Sequence, residues 1–229
     1  MIFHYEMLML FIFDNIDIDN IVLRSNSMEE KIVYFEKPGI ENTETTLNLA
    51  LERAKARGVK KIVLASTRGD TARLAAKLWT KSGIKIIVIP HQFGFSGMVF
   101  PPELKTELEK QGHVVHFGTM LFHTERFYGM NTPTIMANLL RTFCQGMKVC
   151  VEILLMAADA GHIDIGEQVI AVSGSGRGSD TAVVAITSAS TRLADLHITE
   201  IICKPLQTKQ GLPPPPPGQM PPLPPGPMP

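Results

Sequence analysis

Between Lys31 and Pro90 the chain alternates between two hydrophobic rhythms. Short runs dense in Ile and Val, KIVYFE (31–36), KKIVLAS (60–66) and IKIIVIP (84–90), read as strands. Between the first two, NTETTLNLALERAKARG (42–58) sets Leu47, Ala50, Leu51 and Ala54 on one side of a helix. Asn42 or Thr43 is the expected cap of that helix and Gly58 its stop. DTARLAAKLWTKSG (70–83) repeats the helical pattern and is closed by Gly83. Strands this uniformly apolar, each joined to the next through a helix, predict a parallel sheet covered on both faces.

Past Pro90 the pattern loosens. HQFGFSGMVFPP reads as a loop, and PELKTELEKQG (102–112) as a short helix with Pro at its start. HVVHFG (113–118) reads as a short strand. The segment 132–161 is apolar on most sides and predicts one kinked or two consecutive helices, with a break at Gly146. GEQVIAVSG (166–174), DTAVVAITSA (180–189) and HITEIICKP (197–205) are further strands. The sum is an α/β domain, a three-layer α/β/α arrangement with a mixed, mostly parallel sheet.

The two ends differ from this middle. The apolar start, MIFHYEMLMLFIF, stops at Phe13 and is interrupted by His4 and Glu6, too short to span a bilayer. It has neither the basic start nor the small-residue cleavage site of a secretory signal. Residues 1–27 read as an upstream extension, of the kind a start codon assigned too early would add, and Met28 opens the domain. The folded unit is expected over 28–205. Residues 206–229 form a proline-rich tail with GLPPPPPGQMPPLPPGPMP at its end, expected to be disordered and biased to polyproline II. Such a tail suits an SH3- or WW-like groove on another protein, although a passive tail is the simpler reading.

Composition narrows the function. A chain of 229 residues with 45% hydrophobic content buries one sizeable core. Lys+Arg and Asp+Glu are equal at 22 each, so no net charge draws the chain to nucleic acid or to an anionic membrane, and neither is an expected partner. The three cysteines, Cys144, Cys150 and Cys203, have no CxxC spacing and read as buried free thiols in a reducing cytoplasm.

In open parallel sheets, ligands bind beyond the carboxyl ends of the strands. Three stretches fall there: KPGIENTETT, STRGDT and SGSGRGSDT. Each joins glycine, which lets backbone N–H groups turn toward an anion, to hydroxyl or amide side chains. Arg68 and Arg177 supply positive charge. GSGRGS is not GxGxxG, and no Walker lysine is present. Asp70 would repel a phosphate, and its simplest role is a helix cap. His113 and His116 sit three apart, which on a strand points them to opposite faces, and no Cys or carboxylate cluster supports them, so no metal is expected. Glu36, Glu41, Glu44 and Asp180 are available acids or bases, but nothing assigns a catalytic residue.

The segments 169–205 and 61–78, VIAVSGSGRGSDTAVVAITSASTRLADLHITEIICKP and KIVLASTRGDTARLAAKL, resemble the C-terminal α/β domain of pyruvate kinase. With KPGIENTETTL (37–47) the chain is more similar to a family of small stand-alone proteins with that domain's fold, described mostly from archaea. The resemblance covers about Lys31 to Pro205. It implies a mixed sheet of about five strands with helices on both sides, and it implies flavin mononucleotide (FMN) as cofactor. Carried over, Ser66, Thr67, Arg68, Gly69 and Thr71 become phosphate contacts. Gly174, Ser175, Gly176, Arg177 and Gly178 form the opposing wall, and Asn42, Thr43 and Thr45 close the pocket. Phe93, Phe95 and Met98 would flank the flavin ring, since flat apolar surfaces suit a flat ring.

Pyruvate kinase itself needs a large barrel domain for which this chain has no room, so the resemblance describes a fold and not that activity. Two readings of the site stand: an FMN-binding protein with a redox role, or a non-catalytic sensor of a phosphorylated metabolite. Either takes a small phosphorylated ligand, and self-association into a homo-oligomer is compatible with both.

Overall fold

The computed structural model describes residues 28–93, 99–123 and 132–207. The chain divides into Met1–Lys31 and Ile32–Pro229. In the first unit residues 28–31 are exposed and without regular structure. The second holds seven strands: β1 (Val33–Phe35), β2 (Lys61–Ala65), β3 (Lys85–Ile89), β4 (Val114–Val115), β5 (Gln168–Ser173), β6 (Thr181–Ile186) and β7 (His197–Pro205). Its helices are α1 (Thr43–Arg57), α2 (Asp70–Leu78), α3 (Pro102–Lys110), α4 (Thr132–Arg141) and α5 (Gln145–Asp159).

The strands form one sheet in the order β1-β7-β6-β5-β2-β3-β4. Only β6 runs against the rest, antiparallel to both β5 and β7. Among the described residues the sheet thus has seven strands, not about five. The two outermost are the shortest, β1 with three residues and β4 with two. Among the described residues each of these edge strands pairs on one side only, β1 with β7 and β4 with β3. The β1–β7 edge continues past Pro205, where Leu206 N–H donates to Phe35 O at 2.7 Å and Gln207 N–H to Glu36 O at 3.3 Å.

Successive side chains on a strand leave by opposite faces, and both faces are covered. Ile62, Leu64, Ile86, Val88, Ile170 and Val172 meet Leu47 and Ala50 of α1, Ala72 and Ala75 of α2, and Leu104 and Leu108 of α3. Val63, Ile87, Ile89, Val169, Ala171 and Val183 meet Met147, Cys150, Ile153, Leu154 and Ala157 of α5. This is why every strand of the central group reads as a continuous apolar run. All three cysteines are free and buried in these layers. Burial pushes the Cys203 thiol up to about 12 and raises that of Cys150 as well. None of the described helices is long and apolar enough to cross a membrane.

Two helix boundaries differ from the expected ones, and a third agrees by position only. Asp70 does not cap α2: Gly69 occupies the cap position, and the free Ala72 N–H donates to Ser66 Oγ at 3.1 Å. A hydroxyl four residues before the helix reaches its first turn because Ser66 still follows the line of β2. Asn42 caps α1 by position without a side-chain bond, because a 3-10 turn, Ile40–Asn42, leads straight into the helix. The break between α4 and α5 falls before Cys144 and not at Gly146, since Cys144 Sγ accepts from Met147 N–H and starts a new helix there.

Candidate functional site

The sheet order sets β5 directly beside β2, in parallel register, so the turns that follow both strands open at the same edge. A cleft of about 420 Å³ lies between them. Its polar lining includes Ser66, Thr67, Arg68, Asp70 and Thr71 from the turn after β2 and Gly174–Gly178 from the turn after β5. Ile89, Pro90, Met120, Val149 and Ile153 supply apolar surface to the same cleft.

The STRGDT turn is held by its own hydroxyls. Ser66 N–H donates to Ile89 O at 3.1 Å, and Thr67 Oγ1 donates to Pro90 O at 3.0 Å. The Thr67 hydroxyl is thereby spent on joining the ends of β2 and β3. The Ser66 hydroxyl accepts from Ala72 N–H and still has a proton of its own to donate. Arg68 is exposed beside it. Arg177 reaches across from the facing loop, and its Nη2 lies 3.4 Å from Asp70 Oδ2.

The glycine-rich loop hangs on a buried carboxylate. Asp180 accepts from Ser175 N–H at 3.1 Å, from Ser175 Oγ at 3.4 Å and from Thr181 Oγ1 at 2.8 Å. Burial raises the pKa of this carboxyl, and those hydrogen bonds oppose the rise. The loop also needs glycine at its end. Gly178 has φ +82°, and a Cβ there would lie 2.5 Å from Ile40 Cα, since the loop packs directly on the 40–42 turn. Gly174 faces the Gly178 carbonyl oxygen, which a Cβ would meet at 2.3 Å.

Of the fourteen residues expected at the site, Ser66, Thr67, Arg68, Thr71 and Gly174–Gly178 line the cleft. Gly69 is the buried cap behind them. Asn42, Thr43 and Thr45 are not part of its wall. Thr43 donates to Ile40 O at 2.6 Å and accepts from Ser179 N–H at 3.0 Å, so it ties the first turn to the glycine-rich loop. Asn42 Nδ2 donates to Lys37 O, and Thr45 is exposed. Phe93 is 81% exposed and meets the Phe117 ring edge-on at 5.6 Å, outside the cleft. Phe95 and Met98 lie outside the described residues.

The wall that sequence reasoning missed comes mainly from α5. Gln145, Lys148, Val149 and Ile153 fall on one stripe of that helix and face the cleft. Their spacing was legible in the sequence, but which face of the sheet the stripe would meet was not. Lys148 is fully buried. Its Nζ lies 2.5 Å from Glu152 Oε2 and 5.6 Å from the centroid of the Phe122 ring. Glu152 Oε1 in turn accepts from Phe122 N–H at 2.9 Å.

Among the described residues no group of three His, Cys, Asp or Glu side chains is placed to hold a metal. His113 Nδ1 accepts from Ile86 N–H, and His116 stacks edge-on against His162 at 5.0 Å. Burial lowers the pKa of all three histidines.

Residues 44–187 match the family described as pyruvate kinase, alpha/beta domain. Among solved structures, a pyruvate kinase from Cryptosporidium parvum is 19% identical, with 67% of this chain and 24% of that chain covered and a TM-score of 0.37. The same organism's pyruvate kinase in complex with ADP is 22% identical over the same shares, with a TM-score of 0.32. The chain thus spans about a quarter of the length of these enzymes.

Proposed function

The chain belongs to the pyruvate kinase alpha/beta domain family, and from that premise we propose that its cleft binds a phosphorylated small molecule, with FMN the ligand that fits the reading best. One observation carries this: the turns after β2 and β5 meet at one cleft whose lining combines hydroxyls, backbone amides and two arginines with an apolar surface. Ser66, the amides of the 174–178 loop other than that of Ser175, and the guanidinium groups of Arg68 and Arg177 suit a phosphate. Ile89, Met120, Val149 and Ile153 offer the apolar surface that the body of such a ligand buries. The flat ring of a flavin would lie against α5 and the end of β3.

The test is colour and uptake. Purified full-length protein, or protein incubated with FMN and desalted, should absorb in the flavin bands and melt at a higher temperature. A ligand at 100 times its dissociation constant adds about 2.7 kcal/mol to stability. Colourless protein that takes up no FMN, yet is stabilised by a sugar phosphate, would replace flavin with a metabolite sensor. Protein stabilised by neither would remove the cleft as a phosphate site.

A further inference from the structure

The polar side chain best prepared to choose between ligands of the cleft is Gln145, at the first turn of α5. Gln145 is half-buried and lines the cleft. Its Oε1 accepts from Arg141 Nε at 2.7 Å. Arg141 is itself fixed, since its Nη1 donates to Asn138 Oδ1 at 2.8 Å. A guanidinium has donors only, so the amide atom facing it must be the oxygen. The Gln145 Nε2 is therefore turned away from Arg141 with its two N–H donors, and no described residue accepts from it.

We infer that Gln145 is a specificity residue of the cleft: its amide N–H donates to a carbonyl or ring-nitrogen acceptor on the body of the phosphorylated ligand. Arg141 is the positioning residue that holds the donor outward. The inference rests on the cleft being the phosphate-ligand site, and it narrows the ligand class. A sugar phosphate carries no such acceptor on a flat apolar body. A phosphorylated heterocycle with carbonyl groups along one edge does, and it can place its phosphate at the 66–71 and 174–178 turns while its ring follows Val149 and Ile153. Hydrogen-bond loss at a buried acceptor costs more than a missed contact, because the ligand's own polar atom is left unpaired.

Titration calorimetry with FMN and with ribose 5-phosphate on the full chain separates the roles. In Gln145→Leu, FMN should bind about tenfold more weakly, and ribose 5-phosphate should be unchanged within about twofold. Gln145→Glu keeps the size and the Arg141 contact but turns an acceptor toward the ligand, so it should weaken FMN at least as much as Gln145→Leu does. Arg141→Met frees the amide and should lower the preference for FMN over ribose 5-phosphate by a smaller factor, which a merely structural role would not move. If FMN is unaffected, or if both probes weaken equally, Gln145 is not a specificity residue, while the phosphate cleft stands. If wild-type protein binds neither probe, the cleft reading fails and this assignment with it.

Discussion

Arg177 and Asp70 face each other across the mouth of the cleft, with Nη2 of one 3.4 Å from Oδ2 of the other. The pair joins the turn after β5 to the start of α2. Both side chains are more than half exposed, at 67% and 58%, so the contact adds little to stability. Its importance is electrostatic: it places a carboxylate beside a guanidinium that lines the cleft.

Asp70→Asn should therefore tighten binding of a phosphorylated ligand, by a few-fold at low salt and by less at high salt. FMN titrations at two ionic strengths check this. Weaker binding in the variant would give Asp70 a direct part in holding the ligand.

Arg68→Ala should act in the opposite sense. Loss of a charge-assisted hydrogen bond to phosphate is worth about 1.5–3 kcal/mol. FMN should lose that much affinity and riboflavin, which has no phosphate, almost none. Equal losses would take Arg68 out of the phosphate role.

Asp180 makes stability depend on pH. Its folded pKa lies above the ordinary 3.8 because burial disfavours the charged form. The folded protein holds this proton more tightly than the unfolded chain does. The stabilising contribution is then complete below the unfolded value and is lost as pH rises through the folded one. Wild-type protein should gain stability relative to Asp180→Asn as pH is lowered toward 3.8, in a series of denaturant titrations. A gap that does not change with pH would show that Asp180 does not titrate in this range.

Lys148 and Glu152 are both fully buried, and removing Lys148 takes away a cation that lies 2.5 Å from the Glu152 carboxylate in the core. Lys148→Met should cost about 3–5 kcal/mol by denaturant unfolding. The double variant Lys148→Met/Glu152→Gln keeps an acceptor for Phe122 N–H and should recover most of that loss. A double variant as unstable as the single one would mean that packing, and not charge, sets the cost.

Gly178→Ala should destabilise the fold by about 2–3 kcal/mol. The residue sits at φ +82°, and the atom its Cβ would strike at 2.5 Å is backbone, Ile40 Cα. Near-neutral stability in the variant would mean that the glycine-rich loop can move off the 40–42 turn without loss.

Much of the architecture was readable from the chain because its signals are local. β7 spans His197–Pro205, the same residues read as a strand from the sequence, and α1 stops at Gly58, whose φ of +67° ends a helix. The capping of α2 was not readable, because Asp70 and Ser66 are equally good candidates by type. Only the path of β2 into the turn brings Ser66 Oγ to Ala72 N–H.

The amino-acid sequence by itself determined the alternation of strand and helix, the two-sided burial of the sheet and the polar turns at the strand ends, since periodicity and turn chemistry act within a few residues. Strand order was decided only in three dimensions. β5 inserts beside β2 although about a hundred residues separate them, and that pairing is what brings STRGDT and SGSGRG to one cleft. The same packing turned Thr43 inward as a tie to Ser179 and brought Gln145, Lys148 and Val149 to the cleft. Such contacts depend on how whole layers fit against one another, and no local pattern along the chain encodes that fit.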